Sequence, residues 1–166
     1  MLNHLLKKII EKKPESMELY ADLQGWRVNG GTVPHSLVLT EQVPDLVIVD
    51  RSSNPAKVTL IELTMPFDSE KNFREARDNK EKRYRRLTAE LMDAGYTVVS
   101  SQLEIGSRGV VNTINFNVLV NIAQLTGIKD VKNLRRTLAK IALIGSYRIW
   151  LARKTQEWAP GTLIHG

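Results

Sequence analysis

The sequence predicts an α/β domain built on one sheet, and three observations predict it. Two short runs rich in β-branched residues, Val43–Asp50 and Lys57–Met65, flank a turn. A long helical pattern follows them. A third strand-like run, Tyr96–Ile105, follows that helix. Strands interleaved with helices in this order build a sheet with helices packed on it. The chain has 166 residues, enough for one core and too few for two comfortable ones. It is read as one domain over 1–166, with its core at about 43–105 and C-terminal helices over about 115–154.

Each element has a local reason. Leu5 to Tyr20 has helical spacing, with Pro14 breaking it or starting a second short helix. Gly25–Pro34 is turn and loop. Val43–Asp50 reads as a strand, Arg51–Ala56 as a hairpin-like turn, and Lys57–Met65 as a strand apolar enough to be central. Pro66 ends that strand. Asp68 or Ser69 caps a helix that runs to about Ala94, where Gly95 stops it. Tyr96–Ile105 is the third strand and Gly106–Gly109 a turn. Asn115–Leu125 and Val131 to about Lys154 are helices separated by Gly127.

Composition removes several chemistries. With 42% apolar and 25% charged residues, the chain reads as an ordinary globular protein. There is no cysteine, which excludes thiol catalysis and cysteine-based zinc sites. His4, His35 and His165 have no metal-ligand spacing. Any metal must be held by oxygen, which points to magnesium or manganese. No apolar run approaches the length needed to cross a bilayer and nothing resembles a secretory leader, so no membrane partner is expected. The basic opening MLNHLLKKII suits a surface helix better than a presequence.

Lys and Arg outnumber Asp and Glu by 24 to 18, and the excess is polarised. Arg74 to Arg86 carries seven bases against three acids; Lys129 to Lys154 carries eight against Asp130 alone. Such placement is the footprint of a polyanion binder; a solvated basic face is the alternative.

Chemistry concentrates at three residues. Asp45 opens the first strand, after Pro44, and Glu62 lies inside the second among Leu60, Ile61 and Leu63. A carboxylate in an apolar strand is costly unless compensated. A divalent cation shared with Asp45, with the Leu63 backbone carbonyl as a third ligand, would compensate it; so would a core Lys or Arg. On the long helix Phe73, Ala76, Leu87, Leu91 and Ala94 fall on one arc, and Lys80 and Tyr84 fall inside it. Lys80 therefore belongs to the face packed on the sheet. Its stem packs there while its ammonium snorkels out, or the ammonium is aimed at the Asp45–Glu62 pair.

Pro44-Asp45 followed by Glu62-Leu63-Thr64 after sixteen intervening residues resembles the PD-(D/E)xK nuclease superfamily. The resemblance implies a restriction-endonuclease-like αβββαβ core, a central mixed sheet flanked by helices, with extra helices at the C-terminus. It implies that Asp45 and Glu62 bind magnesium and that a lysine is catalytic. The motif's lysine position is Thr64 here; in some members the lysine has moved to the next helix, which Lys80 fits. The restriction-like endonuclease of site-specific non-LTR retrotransposons is a closer match, with Asp45, Glu62, Lys80 and Arg83-Tyr84 at the corresponding positions. Tyr20-Ala21-Asp22-Leu23, Gly25-Trp26-Arg27, ELTMPFD, EIGSRG and GSYRIWLARKTQEW extend the resemblance over residues 19 to 158.

The function this implies is metal-dependent phosphodiester hydrolysis in DNA, duplex or branched, by an intracellular protein, nuclear if the element is eukaryotic. RNA is a further partner and a homodimer a further arrangement. The alternative, favoured by Thr64, is an inactive nucleic-acid-binding module on the same fold. Candidate DNA contacts are Arg74, Arg77, Arg83, Tyr84, Ser107, Arg108, Arg135 and Arg136. Ser107 and Arg108 are either a phosphate cradle of turn amides and guanidinium or a plain turn. Glu18, read as an acid of the first helix, is a candidate further metal contact, with Glu15 and Asp22 behind it; a helix-surface acid is the simpler reading. Trp26, Trp150 and Trp158 suit packing more than base stacking.

Overall fold

The computed structural model describes residues 1–153. Its elements run α1 (Leu2–Ile10), β1 (Met17–Ala21), β2 (Leu46–Asp50), β3 (Lys57–Thr64), α2 (Glu70–Asp93), β4 (Thr97–Glu104), α3 (Thr113–Thr126) and α4 (Val131–Ala152). The four strands form one sheet in chain order. β1–β2 and β2–β3 are antiparallel; β3–β4 is parallel, with α2 as the crossover. The fold is α/β with a mixed, open sheet, as the sequence predicts at that level.

One strand was not expected. The segment Leu5 to Tyr20, read as helical with Pro14 breaking it or starting a second short helix, is a helix followed by a strand. Leu5, Leu6 and Ile9 share one buried helix face, but beyond Pro14 the burial alternates through Met17, Leu19 and Ala21. The period changes from helical to two within a few residues, and β1 then pairs with β2 from Met17–Asp50 to Ala21–Leu46.

The sheet separates two apolar layers. Leu5, Leu6 and Ile9 of α1, Leu119 and Ile122 of α3, and Leu134, Leu138 and Ala142 of α4 pack on one face with Leu19, Ile48, Ile61 and Leu103. On the other face α2 lays Tyr84, Leu87 and Leu91 on Val47, Val49, Val58 and Leu60. Leu46 to Val49 are therefore buried on both sides, which explains a strand apolar at consecutive positions. Each fully buried leucine contributes about 1.5–3 kcal/mol to this packing.

The helix ends follow capping chemistry. Ser69, rather than Asp68, caps α2, its hydroxyl accepting the Asn72 N–H at 3.2 Å. Gly127 ends α3 with φ 76°, where a Cβ would lie 3.0 Å from the Lys12 carbonyl oxygen. Both the left-handed backbone and the tight approach of the segment after α1 demand glycine there. No helix among the described residues is long and apolar enough to cross a membrane.

Candidate active site

Three strands deliver their ends to one place. In the register of β1 and β2, Asp22 falls opposite Asp45, and its N–H donates to the Asp45 carbonyl at 2.9 Å. Continuing the β2–β3 register, Asp45 falls opposite Glu62 and Pro44 opposite Leu63. Asp45 and Glu62 share the alternation of Val47, Val49, Val58 and Leu60, so both side chains belong to the α2 face.

Pro44 interrupts the ladder there. It has no N–H to offer the Leu63 carbonyl. Its own carbonyl accepts the Thr32 hydroxyl at 2.8 Å. Side chains take over the lost pairing: Asp45 Oδ2 accepts the Leu63 N–H at 2.7 Å, and Glu62 Oε1 accepts the Asp45 N–H at 3.0 Å. The two carboxylates are thus fixed by each other's backbone.

From α2, Lys80 Nζ donates to Glu62 Oε2. The Glu62 side chain is 2% exposed and that of Lys80 24%, so the ion pair closes over a buried acid from the solvent side. Tyr84, one turn later, is buried and its hydroxyl donates to the Val43 carbonyl at 3.1 Å. Burial and the adjacent Glu62 carboxylate hold the Tyr84 phenol above its usual range. Gln42 Nε2 donates to the Arg83 carbonyl. Tyr84 and Gln42 therefore clip the entry to β2 against α2.

Asp45 carries the electrostatic tension. Burial raises its carboxyl above the ordinary aspartate range, and Glu62 and Asp22 push in the same direction. The Leu63 N–H and the Lys80 charge oppose this without cancelling it. Asp45 Oδ1 has no protein donor among the described residues. A cleft of about 440 Å³ lies over these groups, lined by Asp22, Glu41, Gln42, Val43, Asp45, Glu62, Lys80, Arg83 and Tyr84.

The other candidates are placed differently. Glu18 is on β1, not on a helix. It lies opposite Val49, toward the far end of β2 from Asp45, and is held by Arg51 Nε at 2.6 Å and the Tyr20 hydroxyl at 3.0 Å. Asp22 is the acid that reaches the cleft, with Arg27 Nε 2.7 Å from its Oδ1. Reading Met17, Leu19 and Ala21 as an alternating strand would have found it.

Tyr84 is buried rather than presented to DNA, and Arg77 is spent on Glu104, whose side chain is 1% exposed, through bonds of 3.1 and 2.7 Å. Asn115 Nδ2 completes that acid's shell at 2.9 Å. The cradle reading of the Gly106–Gly109 turn is corrected as well. Its amides donate to Val110 O, Pro66 O, Asp68 Oδ2 and Gly106 O in turn, and Arg108 Nε also binds Asp68. The Ser107 and Arg108 amides are therefore committed within the fold.

Arg83 is exposed at the cleft mouth, its guanidinium 6.0 Å from the Tyr84 ring centre. Arg74 is exposed, 3.5 Å from Glu70. Arg135 and Arg136 are exposed on α4, across the sheet from the cleft; Arg135 lies 5.4 Å from the Phe116 ring centre. Trp26 packs against the core on the α1 side, and Trp150 stacks on Tyr147 at 5.9 Å. Trp158 and His165 lie outside the described residues.

Among the described residues no three acidic or imidazole side chains form a metal cluster. The oxygens at the cleft suit a hard divalent cation nonetheless. They are the donor-free Asp45 Oδ1, the second lone pairs of Glu62, and the Leu63 carbonyl facing Pro44. No protein-family model, curated protein or solved structure matches the chain significantly.

Proposed function

We propose that this protein is a magnesium- or manganese-dependent DNA endonuclease with the restriction-endonuclease-like fold. The observation that carries the reading is the convergence of Asp45, Glu62 and Lys80 from β2, β3 and α2 on one cleft. The element order α1-β1-β2-β3-α2-β4 is compatible with the αβββαβ core that the sequence resemblance implies. Thr64 follows Glu62 by two residues on the same strand face and lines a cleft with Ala76, Asn79, Lys80 and Arg83. A lysine supplied from α2 beside it is compatible with the migrated lysine that the sequence resemblance implies.

In this reading Asp45, Glu62 and the Leu63 carbonyl would hold the cation. When bound, the ion would polarise the scissile phosphate and make water a better nucleophile at neutral pH. Lys80 Nζ, held on the cleft by Glu62, stabilises the negative charge that grows on the phosphate oxygens. Water oxygen attacks phosphorus, the bond to the 3′ oxygen breaks, and that oxygen takes up a proton. The products are a 5′-phosphate and a 3′-hydroxyl. Arg83 at the cleft mouth and the exposed Lys82 and Arg85 of α2 steady the backbone nearby.

The test is nicking of supercoiled plasmid with magnesium by the native chain, Asp45→Ala and Glu62→Ala. Nicking by the native chain and a loss of at least about a hundredfold in both variants is expected. Equal nicking by all three overturns the site. DNA binding without nicking by the native chain supports the inactive module on the same fold, which Thr64 alone favours.

A further inference from the structure

The bases of α2 and α4 differ in how they are balanced. On α2, Lys71, Arg74 and Arg86 each have an acid within 4 Å one turn away, at Glu75, Glu70 and Glu90, and Arg77 and Lys80 are paired with Glu104 and Glu62. Lys82, Arg83 and Arg85 have no ion pair among the described residues but are interspersed with Glu75, Asp78, Glu81 and Glu90. From Val131 to Ala152, α4 contains no acidic residue. Lys129, Lys132, Arg136 and Lys140 recur every three or four residues, all exposed, none in an ion pair among the described residues. Lys132, Arg136 and Lys140 form one stripe on the side of α4 turned away from Leu134, Leu138 and Ala142, and Lys129 stands just ahead of the Asp130 cap. A face kept for solubility mixes both signs; like charges on one stripe repel one another unless something balances them.

α1 extends this surface. Lys8 and Lys12 line a groove of about 310 Å³ with Lys129, Asn133 and Thr137, floored by Ile128 and Leu134. Of the two acids at the groove, Glu11 is paired with Lys8 at 2.8 Å, and Asp130 caps α4 by accepting the Asn133 N–H at 2.9 Å. The groove and stripe lie on the α1–α3–α4 layer, and the Asp45–Glu62 cleft lies on the α2 layer, with the sheet between them.

We infer that the α1–α4 surface is a second nucleic-acid site, binding the phosphodiester backbone of a segment other than the one in the cleft. Lys132 to Lys140 spans about 12 Å along the helix. Facing one strand of a duplex, that length covers about three to four phosphates. The ligand's chemistry is a regular row of phosphodiester anions, which the regular row of cations matches. His4 at the groove reports the field: burial first, then Lys8, the amino terminus and Lys7, lower its pKa, with Glu11 opposing.

The choice of nucleic acid as ligand rests on the nuclease reading; the surface itself does not. The test uses the full chain and a short DNA duplex, comparing the native protein with Lys132→Gln/Arg136→Gln/Lys140→Gln, whose side chains are exposed. The variant is expected to lose affinity and to reduce the slope of log affinity against log salt by about 2–3. In the native chain, duplex binding is expected to raise the His4 pKa followed by NMR, and less so in the variant. At saturating duplex, Asp45→Asn is expected to leave the His4 shift unchanged while abolishing nicking. Unchanged affinity, slope and His4 titration in the triple variant overturn the inference, as does binding of anionic lipid vesicles but not of duplex. A native chain that fails to nick but shows these shifts sinks the nuclease reading and leaves this surface standing.

Discussion

In the proposed nuclease the chemistry would turn on Asp45. Its carboxylate sits where burial, Glu62 and Asp22 all oppose ionisation, so its pKa in the fold is raised. Between the ordinary aspartate value and that raised value the native state binds more protons than the unfolded chain. Stability must then fall as pH rises through that window, and the cost of the charged form persists above it. Asp45→Asn keeps an oxygen to accept the Leu63 N–H and removes the charge. It is expected to raise the Tm of the metal-free protein near neutral pH and to flatten the decline; thermal melts across the acidic range check this. Magnesium is expected to raise the Tm of the native chain and not that of Asp45→Asn. A variant less stable than the native chain at neutral pH would show that the Asp45 charge is already balanced by the protein.

At the scale of the element, α2 does two jobs, packing Leu87 and Leu91 on the sheet and carrying Lys80 to Glu62. Lys80→Ala leaves a carboxylate that is 2% exposed without its cation, an expected loss of about 2–3 kcal/mol, since the pair is only partly buried. Thr64 offers a sharper test, because from the strand it lines a cavity together with Lys80. Adding Thr64→Lys to Lys80→Ala is expected to restore cleavage by at least about tenfold, the scale of one positioned charge. Restored stability without restored cleavage would make Lys80 a structural partner of Glu62 only. The inward place of Lys80 and Tyr84 was legible, because a 24-residue helix gives its period many turns in which to show. β1 was not, because five residues behind Pro14 gave the alternating pattern little length. With β1 unread, Asp22 had no strand to place it opposite Asp45, and Glu18 took its place as the third acid. The ion pairs of Arg77 with Glu104 and of Arg108 with Asp68 join residues 27 and 40 apart in sequence, beyond any local pattern.

At the scale of the molecule, the sheet separates two charged surfaces. The α2 layer holds the carboxylates and Lys80, and the α1–α3–α4 layer holds the acid-free row of bases on α4. Sequence revealed both basic segments but not that a sheet lies between them, because charge along a chain carries no record of which face it reaches. The pair Asp45–Glu62 was legible because the strands were adjacent in sequence and joined by a short turn, which fixes their register. In the proposed nuclease, a cation site at the strand ends would tie the two layers to one activity. Crystals soaked in manganese test it most directly. The account expects one anomalous peak between the Asp45 and Glu62 carboxylates, beside the Leu63 carbonyl. A peak held by other residues, or none at a manganese concentration that supports nicking, would contradict it.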